Sequence, residues 1–317
     1  MRTHRQLDPA LGPVFTVADA RAVGETPGRL RGTDLAAPFR GVRATSDVPA
    51  WLAYAPLLRT DERFSHTTAA LLWGAPLPSG FDGDVHTSVP LPTARAKGAG
   101  VLGHQSASSA VVIRHGVPVS TAADTFLELA AMLPLSALVA VGDHLVLAAR
   151  RFEPSDPRPY VSIDDLGRAA DQCSGRGARR ARAAVRLLRP GVESPMETRL
   201  RLQLTGGVIP EPVCGYELHA RSGQRVGWFD LAWPEYQVIA EYDGDQHRTS
   251  TTQYERDIRR FDEADAAGWK VIRVRMQGLL REPVATYFRV HDALVSRGWS
   301  GTSSSRPEMS ASAAGDR

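Results

Sequence analysis

The stretch Trp228-Phe-Asp-Leu-Ala-Trp-Pro-Glu-Tyr-Gln-Val-Ile-Ala-Glu-Tyr-Asp-Gly-Asp-Gln-His247 reads as two strands of a β-hairpin joined at Pro234-Glu235. Acids interrupt its apolar runs: Asp230 lies between Phe229 and Leu231, and Glu241 follows Val238-Ile239-Ala240. A carboxylate in an apolar strand loses its hydration at a cost of several kcal/mol unless something compensates it. A bound divalent cation is the compensation that also does chemistry. Side chains two apart on a strand share a face, so Glu241 and Asp243 point one way and Val238, Ala240 and Tyr242 the other. With a two-residue loop at Pro234-Glu235, Asp230 pairs with Ile239, and Glu241 is its diagonal same-face neighbour within roughly 5.5–8 Å. One more loop residue would put the two acids on opposite faces. Gly244 permits a sharp exit that turns Asp245 and His247 back towards the acids.

Outward from this hairpin, the chain from about Ser194 has the order helix, strand, strand, strand, helix, strand, helix. The first helix opens Ser194-Pro-Met-Glu197. Strands are predicted over 213–220, 225–233, 237–243 and 270–275. A helix over 252–267 separates the last two and stops at Gly268. Glu197 completes a Ser-x-x-Glu capping box with Ser194, a local role that competes with any role at the acids. Asp243, followed by Gly244, is open to the same double reading as turn residue or ligand.

An Asp followed about ten residues later by Glu-x-Asp on the next strand, with a Glu on the preceding helix, resembles the PD-(D/E)XK nuclease superfamily. The similarity is greatest to the branch related to very-short-patch-repair endonucleases. It rests on Phe229-Asp-Leu-Ala-Trp-Pro-Glu-Tyr, Ala240-Glu-Tyr-Asp-Gly-Asp-Gln-His-Arg, Tyr254-Glu-Arg-Asp-Ile-Arg-Arg and Gly268-Trp-Lys-Val-Ile-Arg-Val, and covers about residues 194–297. The resemblance implies an α/β (α+β) chain with a restriction-endonuclease-like αβββαβ core, hydrolysing DNA phosphodiester bonds with Mg²⁺ (or Mn²⁺). Asp230 and Glu241 would hold the ion, Glu197 and Asp243 would complete the catalytic set, and His247 would move a proton. Arg248 and Arg260 would balance phosphate charge. The superfamily's Lys is absent: Asp243 stands in its place and cannot orient a water as an ammonium does. No Cys-rich zinc site accompanies the domain, so mismatch recognition is not implied.

The N-terminal segment offers two helix starts, Thr16 before Val17, Ala20 and Val23, and Thr26 before Pro27, with a turn at Gly24. Helix, glycine turn and helix make a helix-turn-helix pattern, and Phe39-Arg-Gly-Val-Arg43 can be its wing. Arg29, Arg31, Arg40 and Arg43 can then meet DNA phosphates; the other reading is a small helical cap with a solvated Arg face. Phe15-Thr-Val-Ala-Asp-Ala…Leu-Arg-Gly and Pro38-Phe-Arg-Gly-Val-Arg resemble the winged helix-turn-helix of AbiEi-type antitoxins, which are DNA-binding autoregulators. Ser65-His-Thr-Thr-Ala-Ala, Gly103-His and Gly116-Val-Pro-Val-Ser-Thr occur in fusions of this kind.

Between these ends, 51–175 reads as mixed α/β. A helix starts at Ser65, short strands flank His115-Gly116, and helices run over 121–133 and 135–149. His66, His86, His104, His115 and His144 lack metal-ligand spacing and read as turn, cap or core residues. The arginine-rich run 176–189 is a helix whose basic face is either solvated or a phosphate contact. The expected domains are 1–50, 51–175, a basic linker 176–193, 194–298 and a disordered tail 299–317.

The totals set bounds on this. An apolar fraction of 43%, a charged fraction of 23%, a net charge of +3 and a pI near 9.1 are those of an ordinary folded chain, and permit nucleic-acid binding. The two cysteines, Cys173 and Cys214, make neither a disulfide framework nor a zinc knuckle. The start Met-Arg-Thr-His-Arg-Gln has no apolar leader and no run suits a membrane span, so a cytoplasmic protein is expected. Two functions follow as expectations: a metal-dependent endonuclease, or a non-catalytic DNA-binding regulator that keeps a nuclease-like scaffold.

Overall fold

Thr16 caps the first helix as its sequence predicts: its Oγ1 accepts from Asp19 N at 3.0 Å and donates to Asp19 Oδ2 at 2.7 Å. The computed structural model describes residues 6–301 except 46, 82, 151, 152, 155 and 245–250, with the backbone alone for 251–257. The chain divides into two units, one of residues 1–133 with 165–181, the other of 134–164 with 182–317. Most of the expected tail thus lies outside the described residues.

The first unit opens with β1 (Val14–Thr16), α1 (Val17–Ala22) and β2 (Val42–Ala44), β1 and β2 pairing antiparallel. Ala20 packs with Phe15 and Leu30 in a small core. The second helix expected from Thr26 is a single 3-10 turn, Arg29–Arg31, although Thr26 Oγ1 does accept from Arg29 N at 3.2 Å. Gly28 and Gly32 bracket that turn, and two glycines so close together remove the helix's conformational advantage. One such turn is too short to lie along a major groove as a recognition helix does.

After α2 (Ala50–Tyr54) come β3 (Arg63–Phe64), α3 (His66–Leu72), β4 (Val85–Pro90), β5 (Lys97–Gly98), β6 (Val101–Ser106), β7 (Val111–Arg114), β8 (Val117–Ser120) and α4 (Ala122–Leu129). The strands form one sheet in the order β5-β6-β4-β3-β8-β7. The two short strands expected around His115-Gly116 are present and pair as a hairpin, with φ of 50° and 77° at its two central residues.

α5 (Leu135–Val146), α6 (Ile163–Gln172) and the basic α7 (Ala178–Leu187) follow, and the division between units falls inside α7. One arginine of the basic run is structural. Arg180 Nη1 donates to the carbonyls of Ala130 and Leu133 at 3.0 and 2.9 Å, satisfying orphaned acceptors near a helix end.

The second unit is built on α8 (Pro195–Thr205), β9 (Val213–His219), β10 (Arg225–Trp233), β11 (Val238–Tyr242), α9 (Thr251–Ala266), β12 (Lys270–Val274), α10 (Met276–Leu280) and α11 (Pro283–Ser296). The predicted αβββαβ order is therefore present, with strand order β12-β11-β10-β9. β11 and β12 are parallel and α9 is their crossover. One face buries Leu231, Trp233, Val238, Ala240, Ile272 and Val274 against Leu200 and Leu204 of α8 and Val290 and Leu294 of α11. The other face packs Phe229, Ala232 and Ile239 against Ala264 of α9. Each such aliphatic side chain contributes about 1.5–3 kcal/mol when fully buried, so a sheet covered on both sides is rigid around whatever polar groups it carries. α5 joins this unit through a buried ion pair: Arg201 Nη2 donates to Asp143 Oδ2 at 2.9 Å, and both side chains are only 1% exposed.

Candidate functional site

Two strands, β10 and β11, and one helix, α8, deliver the acids, and α9 delivers an arginine. The β10–β11 connection is a 3-10 turn, Pro234–Tyr236, followed by Gln237 with φ of 51°, so it has four residues where two were expected. Two added residues leave the faces unchanged but move the register. Trp233 pairs with Val238 and Leu231 with Ala240, and one step further Asp230 lies opposite Glu241 rather than Ile239. Here the side chains replace the main-chain ladder. Asp230 N donates to Glu241 Oε2 at 2.9 Å, and Tyr242 N donates to Asp230 Oδ2 at 2.7 Å.

Simple alternation fails at Asp230. Phe229 packs on the α9 side, Leu231 on the α8 side and Ala232 on the α9 side again. The partner strand turns with it: Cys214 and Gly215 lie opposite Leu231 and Asp230, and Gly215 has φ of +59°. Its Cβ, if present, would lie 2.6 Å from the Gly191 carbonyl oxygen, so only glycine fits.

Arg260 reaches this pair from α9. Its Nη2 donates to Glu241 Oε1 at 2.6 Å and its Nη1 to the Trp228 carbonyl, while the guanidinium lies 4.7 Å from the Phe229 ring centre and 5.0 Å from that of Phe261. Glu197 sits in the first turn of α8. Ser194 Oγ accepts from Glu197 N at 3.2 Å, and Glu197 Oε2 accepts from Glu193 N at 2.9 Å. The expected capping box is therefore displaced by one residue. Capping does not remove Glu197 from the site: its charge acts on Asp230, and the charge of Glu241 acts on it.

The electrostatics follow from burial. The Asp230 carboxyl is held well above the ordinary carboxylate range by burial first, then by the charges of Glu241 and Glu197; the Tyr242 N–H and Arg260 oppose the shift. Glu197 is raised too, by burial and then by the charges of Glu193 and Glu241, against the hydrogen bonds from Glu193 and Ser194. Three carboxylates and one guanidinium share a largely dry corner.

The other expected site residues divide. Asp243 Oδ2 accepts from Arg273 Nη2 at 2.9 Å and Arg275 Nε at 3.3 Å, so it is the anchor of two cations. His247 and Arg248 lie outside the described residues. In the first unit, Arg29 makes a two-pronged pair with Asp34 at 3.0 and 2.7 Å, and Arg43 donates to the carbonyls of Leu30 and Val42. Arg31 and Arg40 are exposed. His66, His86 and His104 are not scattered: the sheet of the first unit gathers them. Nothing in their sequence spacing signals this, because β4–β6 pairing brings His86 to His104 and the start of α3 adds His66.

No protein-family model matches the chain. It is 29% identical over 115 residues to uncharacterised proteins from two strains of Mycobacterium tuberculosis, a match covering 36% of this chain and 42% of each relative. The chain thus spans less than half the length of the curated relatives it matches. Among the described residues no helix is long and apolar enough to cross a membrane.

Proposed function

We propose that the second unit is a divalent-metal-dependent phosphodiesterase acting on DNA, with Asp230, Glu241 and Glu197 as its acidic centre. The observation that carries this reading is the cross-strand pair Asp230–Glu241, each carboxyl taking a main-chain N–H of the other strand, with Arg260 on Glu241 and the charge of Glu197 acting on Asp230. Perturbed acids of this kind concentrate at functional sites. The donor set fits Mg²⁺ or Mn²⁺, which prefer hard carboxylate oxygens. When bound at Asp230 and Glu241, such an ion supplies an acidified water and neutralises phosphate charge. The chain's own groups fix the geometry. The Asp230 and Tyr242 N–H groups each orient the carboxylate facing them, Arg260 holds the Glu241 rotamer, and Ser194 fixes the start of the helix that carries Glu197. Asp243, committed to Arg273 and Arg275, is a positioning residue in this reading, presenting two guanidiniums beside the acids for the phosphate backbone.

A second reading, a DNA-binding regulator without cleavage, is favoured by one feature. Glu241 and Asp243 each already have an arginine partner. Supercoiled plasmid incubated with Mg²⁺ or Mn²⁺ separates the two, with Asp230→Ala and Glu241→Gln as controls. Nicking that falls at least about 100-fold in both variants supports the first reading. Salt-dependent DNA binding without nicking selects the second. Equal nicking by all three proteins rejects the acidic centre.

A further inference from the structure

Three histidines far apart in sequence meet on the sheet of the first unit. β4 and β6 run parallel in the register His86↔Leu102 and Ser88↔His104, so the His86 and His104 side chains leave the same face. His86 Nδ1 and His104 Nε2 are 3.0 Å apart. His66, the first residue of α3, stacks on His104 with ring centres 3.8 Å apart and lies 5.4 Å from the His86 ring. One ring nitrogen of each histidine lies within 4.8 Å of the other two. Nitrogens around a tetrahedral zinc at about 2.0–2.1 Å are about 3.3 Å apart. The cluster is thus within about 1.5 Å, at its widest gap, of a ligand set.

The backbone holds this arrangement in place. Ser65 N donates to the His86 carbonyl at 3.0 Å, and His86 N donates to Thr68 Oγ1 at 2.8 Å. His66 has φ of 51°, a left-handed conformation that residues other than glycine sparsely populate. Glu128 of α4 stands behind His66. Its Oε2 accepts the His66 N–H at 2.8 Å and lies 3.8 Å from His66 Nδ1, while its Oε1 accepts from Ser120 Oγ at 3.0 Å. Glu128 thus fixes the His66 backbone, while Ser65 Oγ, 3.0 Å from Nδ1, orients the ring, as outer partners orient metal-binding histidines. Burial first, then neighbouring positive groups, keeps the rings neutral: His66 is lowered to about 3, His86 to about 4, and His104 is lowered as well. Neutral rings keep the lone pairs that a metal needs. A packing role alone explains the cluster poorly. One shared proton can join His86 to His104, and Ser65 Oγ takes His66 Nδ1 at 3.0 Å, which leaves His66 Nε2 as that ring's ligand nitrogen.

We propose that His66, His86 and His104 bind one divalent transition-metal ion of the zinc class, with Ser65 orienting the His66 ring and the fourth position left to solvent or an anionic ligand. Three imidazoles suit Zn²⁺, Co²⁺ or Ni²⁺ and not Mg²⁺ or Ca²⁺, so this site is chemically separate from the acidic centre.

The test uses the full chain stripped of metal. It is titrated with Zn²⁺ by calorimetry and with Co²⁺ by visible absorption, beside His104→Ala, His104→Asn, Ser65→Ala and the exposed control His219→Ala, each checked for folding by circular dichroism. The proposal expects one tight Zn²⁺ equivalent and ligand-field bands from Co²⁺ in the parent and in His219→Ala. Both His104 variants lose at least about 100-fold in affinity, Ser65→Ala loses about 10–100-fold at unchanged stoichiometry, and excess Mg²⁺ does not compete. A parent chain without a tight Zn²⁺ equivalent, or a folded His104 variant with parental affinity and spectrum, overturns it.

Discussion

Replacing Asp230 by Asn should make the metal-free protein more stable while removing its proposed activity. The substitution keeps the shape and one acceptor: the amide oxygen can still take the Tyr242 N–H that Asp230 Oδ2 holds at 2.7 Å. It removes a charge that Glu241 and Glu197 oppose. At a cross-strand separation of roughly 5–6 Å and an effective dielectric of about 20, one like-charge pair costs about 3 kcal/mol. Arg260 offsets part of that cost, so a net gain of about 1–2 kcal/mol is expected near neutral pH. The pH dependence fixes the sign. A carboxyl whose native pKa is raised binds its proton more tightly in the folded chain, so this group's stabilisation is complete below the ordinary Asp range and is lost as pH rises through the raised value. The advantage of Asp230→Asn should therefore vanish in acid and grow as pH increases, in urea denaturation with EDTA present. Added Mg²⁺ should reverse the order, because an ion at 100 times its dissociation constant stabilises the parent by about 2.7 kcal/mol and the variant by much less. A variant less stable than the parent throughout the pH range in EDTA, or an equal Mg²⁺ gain in both proteins, would refute the reasoning.

Arg201→Ala should cost about 3–5 kcal/mol, because it strands the Asp143 carboxylate in a site only 1% exposed. The pair Asp143→Leu with Arg201→Met should recover more than half of that loss; denaturant midpoints decide both. Gly215→Ala should cost about 2–4 kcal/mol, from the left-handed backbone and the collision with the Gly191 carbonyl, and should lower any Asp230-dependent nicking because Gly215 shapes the strand opposite that acid. A destabilisation below about 0.5 kcal/mol would show that the close approach relaxes freely.

The order of elements in the second unit was legible because its signals are local. Period-two runs gave strands within two residues of those observed, with β10 matching at both ends, and Gly268 ends α9 with φ of 90° as a helix stop requires. Apolar strands carrying Asp230 and Glu241 also marked a site, since a desolvated acid needs a reason wherever the chain goes. Signals at Thr26 and Pro27 misled for the opposite cause. A cap and a first-turn proline start a helix, but Gly28 and Gly32 leave it only one 3-10 turn.

By itself, then, the sequence determined the alternation of strands and helices in the second unit and the two acids worth asking about. Tertiary structure decided their partners. Loop geometry set Asp230 opposite Glu241, α9 brought Arg260 to Glu241, β12 and the residue after it gave Asp243 two arginines, and pairing of β4 with β6, with the start of α3 against it, gathered three histidines that no spacing connects. The physical reason is range: propensity and periodicity act over a few residues, whereas charge pairing and ligand geometry act through space between segments that only the packed fold makes neighbours.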